Sequence, residues 1–187
     1  MTDRADRILK IIESNPGIHF RGIMHKTGFM NGVLSHHLAK LEGSNRIVAE
    51  RAPRTTRFYP NGIPESDFVV IRALRRPTPR ALLLALLHDD GLSFVQLVAR
   101  SGRSPSTVSL YLAQLVRDGL VRIRTIDLKK RYYLTDRGAV DRLLDVCGPG
   151  LLDKYAANFE DLINPLNFSA SRTPRTASSP HAVTSGF

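Results

Sequence analysis

The chain has 187 residues, a hydrophobic fraction of 42% and a formal net charge of +10. Its single cysteine, Cys147, excludes an internal disulfide, and no Cys/His spacing suits a zinc site. The charged N-terminus and a longest apolar run of only Ala81 to Leu87 exclude a signal peptide and a membrane-spanning helix, so a soluble, cytoplasmic protein is expected.

In chain order, Ile8, Leu9, Ile11 and Ile12 sit at helical spacing, and Asn15-Pro16-Gly17 breaks that helix. A short second helix carries Phe20, Ile23 and Met24 and ends at Thr27-Gly28. The third runs from about Asn31 to Glu42, with Leu34, Leu38 and Leu41 on one face. Two strand-like runs follow, Ile47 to Arg51 and Thr56 to Tyr59, joined by a turn at Ala52-Pro53-Arg54-Thr55. Residues 1–62 thus form one unit. In the connector, residues 63–79, Phe68 to Leu74 reads as a short helix or a strand, and Pro77-Thr78-Pro79 stiffens the end.

Residues 80–138 repeat the plan. Leu82, Leu83, Leu86 and Leu87 mark a helix broken by Asp89-Asp90-Gly91. Phe94, Leu97 and Val98 mark a second, closed by Ser101-Gly102, and Ser104-Pro105 opens a third with an N-cap and a proline at the first helical position. Val121 to Arg124 and Arg131 to Leu134 form a hairpin around Ile126 to Lys130. The repeat is literal. A shift of 74 positions lays Gly17 on Gly91, Gly28 on Gly102, Leu34 on Val108, Leu38 on Leu112, Leu41 on Leu115 and Arg57-Phe58-Tyr59 on Arg131-Tyr132-Tyr133. A long period present twice means two copies of a small domain and not a solenoid. Residues 139–166 carry two further apolar helical patterns that either cover the repeats or form a homodimer, with the homodimer favoured. Residues 167–187, rich in Ser, Thr and Pro, lack the apolar content to fold and are expected to be disordered.

The positive charge follows the repeats: residues 1–60 hold ten basic and five acidic side chains, residues 81–138 nine and five, and residues 139–187 four and five. That distribution points to a polyanionic partner.

Three helices followed by a hairpin is the plan of a winged helix-turn-helix. Thr27-Gly28-Phe29 with Val33-Leu34-Ser35-His36-His37-Leu38-Ala39-Lys40-Leu41 resembles the turn and recognition helix of ArsR/MarR-like regulators, which commonly read Thr-Gly-Leu and then Thr-Val-Ser-x-His-Leu-x-x-Leu. Tyr133-Leu134-Thr135-Asp136-Arg137-Gly138 resembles the close of their wing. Residues 5–140 as a whole are similar to the tandem winged-helix predicted transcriptional regulators frequent in archaea. The resemblance implies a mainly α fold with small β-hairpin wings, two tandem winged helix-turn-helix domains and C-terminal helices. It further implies a double-stranded DNA partner, recognition helices in the major groove, basic wings on the backbone or minor groove, and homodimerisation through the terminal helices.

With Leu34, Leu38 and Leu41 inward, the groove face of the first recognition helix holds Asn31, Gly32, Ser35, His36 and Lys40. Asn pairs bidentately with adenine, Ser and His reach base edges or phosphates, and Gly32 lets backbone amides approach a phosphate. Arg51, Arg54 and Arg57 are the basic residues of its wing. The second copy offers Pro105, Ser106, Ser109, Leu110 and Gln114 at the same positions, with Arg103, Arg122, Arg124, Lys129, Lys130 and Arg131 nearby. The first copy is therefore expected to read sequence more strongly, and the second to add phosphate contacts or to meet a partner. His36 and His37 point about 100° apart on a helix and cannot share one ion, so no metal is expected. No cofactor motif, triad or carboxylate pair suggests an enzyme. Two rival readings remain: an architectural DNA binder without a defined operator, and a protein-interaction module.

Overall fold

The computed structural model describes residues 3–53 and 55–147. Helix α1 (Arg4–Glu13) buries Ala5, Ile8, Leu9 and Ile12, the i, i+3, i+4, i+7 stripe of an amphipathic helix. Asn15 turns back to donate its Nδ2 to the Ile11 carbonyl at 2.9 Å, which ends the helix. Gly17 then takes a φ of +74°, and a Cβ there would lie 3.1 Å from both Ile71 and Tyr59, so no other residue fits the turn without strain. A two-residue strand β1 (Ile18–His19), helix α2 (Phe20–Thr27) and helix α3 (Asn31–Gly43) follow. The hairpin of β2 (Ile47–Ala52) and β3 (Thr55–Pro60) completes the domain. The sheet order is β1-β3-β2, all antiparallel, with Ile18 and Ala49 on either side of Phe58. Strand β1 was not expected, because two residues carry no readable alternation.

The connector resolves as a helix, α4 (Glu65–Leu74). Pro77-Thr78-Pro79, expected as a stiff link, instead forms the first turn of α5 (Pro77–His88). Prolines are at home there, because the first-turn amides have no intrahelical partner to lose. Then come α6 (Phe94–Ser101), α7 (Pro105–Arg117), the hairpin β4 (Val121–Ile126) and β5 (Lys129–Leu134), and α8 (Arg137–Val146). The repeat holds in detail: where β1 stands in the first domain, the second has a single bridge between Leu92 and Tyr132, each 74 residues beyond Ile18 and Phe58. Asp127 and Leu128, at φ +48° and +61°, make the tight turn of the second hairpin. Lys129 and Lys130, expected in that turn, therefore lie on strand β5.

Two cores result. The first joins Ile8, Ile12, Ile23, Leu34, Leu38, Leu41, Ile47 and Phe58. The second joins Leu82, Leu83, Leu86, Leu97, Val108, Leu112 and Leu115 to Phe68, Ile71 and Leu74 of α4 and to Val140 and Leu143 of α8, and it takes in Tyr59 from the first hairpin. The Tyr59 ring stacks on Phe68 with centroids 3.7 Å apart. Its hydroxyl donates to Glu50 Oε2 at 2.9 Å, while Arg72 of α4 reaches Glu50 Oε1 at 2.6 Å. Arg75 donates to the Pro16 carbonyl at 3.0 Å. Helix α4 is thus the joint that fixes the first hairpin to the second core. Helix α8, the first of the two expected C-terminal helices, turns its apolar residues Ala139, Val140 and Leu143 inward and ends at buried Cys147, whose thiol burial pushes up. The second expected helix, to residue 166, and the tail 167–187 lie outside the described residues.

Candidate nucleic-acid interface

With the three leucines of α3 buried, Asn31, Gly32, Ser35, His36 and Lys40 are all exposed. Ser35 Oγ donates to Asn31 Oδ1 at 3.4 Å, so these two share one face a turn apart. Gly32 has open space where a Cβ would sit. Met30 precedes the helix and makes no side-chain cap, leaving the first amides of α3 unbonded by the protein's own side chains. His37 is half-buried against His36, edge to face at 5.5 Å, with its Nδ1 enclosed.

The first wing holds less free charge than the sequence suggests. Arg51 donates from Nη1 and Nη2 to the two carboxylate oxygens of Glu42, both at 2.7 Å, a fork that holds the Glu42 carboxyl below the usual carboxylate range. Glu42 lies in the last turn of α3, so the pair ties the first hairpin to α3. Arg57 is half-buried at the root of the hairpin and donates to the Gly17 carbonyl at 3.0 Å. Its counterpart Arg131 does the same to Gly91 at 3.2 Å and also reaches Gln96 at 3.1 Å. Both arginines secure the turn after the first helix of their domain, a structural duty the sequence reading did not assign. Arg54 lies outside the described residues.

In the second domain Arg103, Ser106 and Ser109 are exposed along α7 and the turn before it. Ser104 caps α7, accepting from the Thr107 amide at 3.4 Å. Gln114, expected on the groove face, instead accepts from Arg76 at 3.1 Å, and Arg76 also donates to the Tyr111 hydroxyl at 3.2 Å while lying 4.8 Å over that ring. Gln114 faces the connector because Arg76, the residue preceding α5, supplies the donors its amide needs. Arg122, Arg124, Lys129 and Lys130 are all exposed on the second wing, with Arg122 and Arg124 beside the Tyr133 ring at 6.0 and 5.5 Å. Among the described residues, the wing cations without a carboxylate partner thus belong to the second domain. Three of its outward positions are apolar: Val95 is 75% exposed, Leu110 67% and Leu128 98%, where the first domain has Arg21, His36 and Arg54.

One basic group escaped the sequence reading. Arg7, Lys10 and Lys26 line a common depression, and the signal for it was the three-residue spacing of Arg4, Arg7 and Lys10 opposite the apolar face of α1. Among the described residues no helix is long and apolar enough to cross a membrane, and no group of three or more His, Cys, Asp or Glu side chains could hold a metal ion.

Comparison with known proteins agrees with this geometry. Residues 2–70 match the family model of an N-terminal HTH domain, and residues 75–122 match that of winged helix-turn-helix DNA-binding domains. The chain thus carries two helix-turn-helix domains in tandem, each followed by a β-hairpin, and the second matches a winged DNA-binding domain model. No curated protein matches it by sequence. Among solved structures it is similar to HlyU from Vibrio cholerae N16961, with 29% identity, 43% of this chain and 86% of that one covered, and a TM-score of 0.37. A MarR-family transcriptional regulator from Silicibacter pomeroyi shares 23% identity over 54% of this chain and 82% of its own, with a TM-score of 0.37. The M. tuberculosis transcriptional regulator MosR shares 19% over 75% and 94%, with a TM-score of 0.41.

Proposed function

We propose that this protein is a transcriptional regulator that reads double-stranded DNA sequence mainly through its first domain, with α3 in the major groove. The observation that carries this reading is the exposed row of Asn31, Ser35, His36 and Lys40 over three buried leucines. On α7 the same positions hold Pro105, Ser109, Leu110 and a Gln114 already bonded to Arg76. The second domain, with Arg122, Arg124, Lys129 and Lys130 exposed on its wing, contributes phosphate contacts, which position a protein on DNA without reading it. Such a protein acts in the cytoplasm at the nucleoid, as a homodimer if its terminal segment associates.

The test is a fluorescence-anisotropy titration of own-promoter and random duplexes across a salt series, beside Ser35→Ala/His36→Ala. A good bidentate base contact is worth about 1–3 kcal/mol; at the low end for each of the two single contacts, about 2 kcal/mol together, the variant should lose roughly 30-fold in promoter preference. Equal binding of both duplexes by both proteins would mean an architectural role. A second reading, favoured by exposed Val95, Leu110 and Leu128, is that the second domain's outer face meets protein and not DNA; neutralising Lys129 and Lys130 would then leave duplex affinity unchanged.

A further inference from the structure

We infer a second phosphate-binding surface on the first domain, built by α1 and the end of α2, that grips the DNA strand beside the groove read by α3; this rests on the reading of α3 above. Arg4, Arg7 and Lys10 recur every three residues on α1, on the side opposite buried Ile8, Leu9 and Ile12. Lys26, in the last turn of α2, joins Arg7 and Lys10 around an open depression of about 530 Å³ that Ser14 and Asn15 also line. The guanidinium groups of Arg4 and Arg7 stand 5.9 and 5.5 Å from the centre of the Phe29 ring. Phe29 sits in the turn between α2 and α3, two residues before Asn31. An aromatic face holds a cation without neutralising it, so these charges are kept at the mouth of the recognition helix and remain free to meet an anion.

Three contrasts separate this surface from ordinary solvated charge. Among the described residues six arginine–carboxylate pairs form, and none includes Arg4, Arg7, Lys10 or Lys26. Asp6, the acid nearest on α1, is occupied by Arg46 at 3.3 Å, which leaves Asp3 and Glu13 at the ends of the helix. In the second domain the same positions read Thr78, Ala81 and Leu84, and Arg100, the counterpart of Lys26, is paired with Asp89. The cationic ridge therefore belongs only to the domain whose recognition helix is polar. From Arg4 to Lys10 the helix rises about 9 Å, over which one DNA strand carries two to three phosphates at about 3.4 Å of axis each.

The experiment compares the full chain with Arg7→Gln/Lys10→Gln/Lys26→Gln and with the charge-keeping Arg7→Lys/Lys10→Arg/Lys26→Arg, using own-promoter and random duplexes from low to high salt. Each lost phosphate contact removes about 0.9 from the log–log salt slope. The glutamine variant should thus flatten the slope by about 2 to 3 and weaken both duplexes equally, roughly 10- to 100-fold at 0.1 M salt, with promoter preference intact. The charge-keeping variant should match the parent, and hydroxyl-radical footprints of the glutamine variant should lose protection at one edge of the site. An unchanged slope in the glutamine variant, while Ser35→Ala/His36→Ala still loses promoter preference, overturns this surface alone. Failure of the parent to bind any duplex at low salt overturns the reading of α3 and this surface with it.

Discussion

The joint between the domains has a measurable consequence at Phe68. Its ring is 6% exposed and lies flat on Tyr59, so one side chain ties α4 and the second core to the hairpin of the first domain. Phe68→Ala removes a buried aromatic at a cost of about 3–5 kcal/mol, of which the stack accounts for about 0.5–1.5. Each kcal/mol lowers Tm by about 2–4 °C in a unit of this size, so the shift should be on the order of 10 °C. The more telling effect is on cooperativity. With the stack gone, the polar contacts left across the joint among the described residues are the Glu50–Arg72 pair, at 2.6 Å but partly solvated, and the Arg75 bond to Pro16, beside the weaker packing of Val48 and Tyr59 on the second core. Native-state hydrogen exchange resolved by residue is the assay. In the parent, amides of α1–α3 and of α5–α7 should share one opening free energy; in Phe68→Ala those of α1–α3 should open first, while Phe68→Leu should largely preserve the single transition. A single common opening in Phe68→Ala would refute the view that this stack is the joint.

Three further outcomes follow from the same geometry. Glu42→Gln releases Arg51 from its carboxylate, so DNA affinity should rise and the salt slope steepen by about 0.9, at a stability cost under about 1 kcal/mol for a solvated pair; a slope equal to the parent's would show that Arg51 never meets a phosphate. Burial, followed by the bond to Glu50, raises the Tyr59 pKa well above the ordinary value near 10. Above about pH 10 the unfolded state therefore holds fewer protons than the native one, and stability should fall by up to about 1.4 kcal/mol per pH unit as pH rises. Tyr59→Phe should lack that component in urea titrations at pH 9 to 11, and parallel pH profiles would contradict it. Gly17→Ala should cost more than the roughly 1 kcal/mol of a simple backbone penalty, because its φ is +74° and Ile71 and Tyr59 stand 3.1 Å from the added methyl; a Tm within 1 °C of the parent would count against that contact.

The helices, their inward faces and the two hairpins were readable because burial imposes a period on the apolar residues, and Leu34, Leu38 and Leu41 are buried as that period requires. The 74-residue duplication doubled the signal. What the sequence did not show was where charge goes. Arg51, Arg57 and Arg131 look alike as wing arginines, yet their fates depend on a carboxylate nine residues away and on glycine carbonyls forty residues away. The pairing of Gln114 with Arg76 likewise spans 38 positions. Helix α4 was ambiguous because Phe68 to Leu74 is apolar almost throughout and buried on several sides, which erases the amphipathic pattern.

The duplication also separates structure from function inside one chain. Where both copies keep a residue and its bond, as Arg57 to Gly17 and Arg131 to Gly91, the shared need is the fold of the domain, since the two copies differ in what they present to solvent. Where they differ at exposed positions, the fold has no stake: His36 and Leu110 occupy the same place on equivalent helices, and both helices stand. Those positions are therefore free to follow whatever each surface meets. Exchanging them tests this directly. His36→Leu should lower promoter preference severalfold with little change in salt slope, whereas Leu110→His should leave preference unchanged, both measured by anisotropy on matched and random duplexes. An equal loss from either exchange would mean that both helices read bases, and the division of labour between the domains would fall.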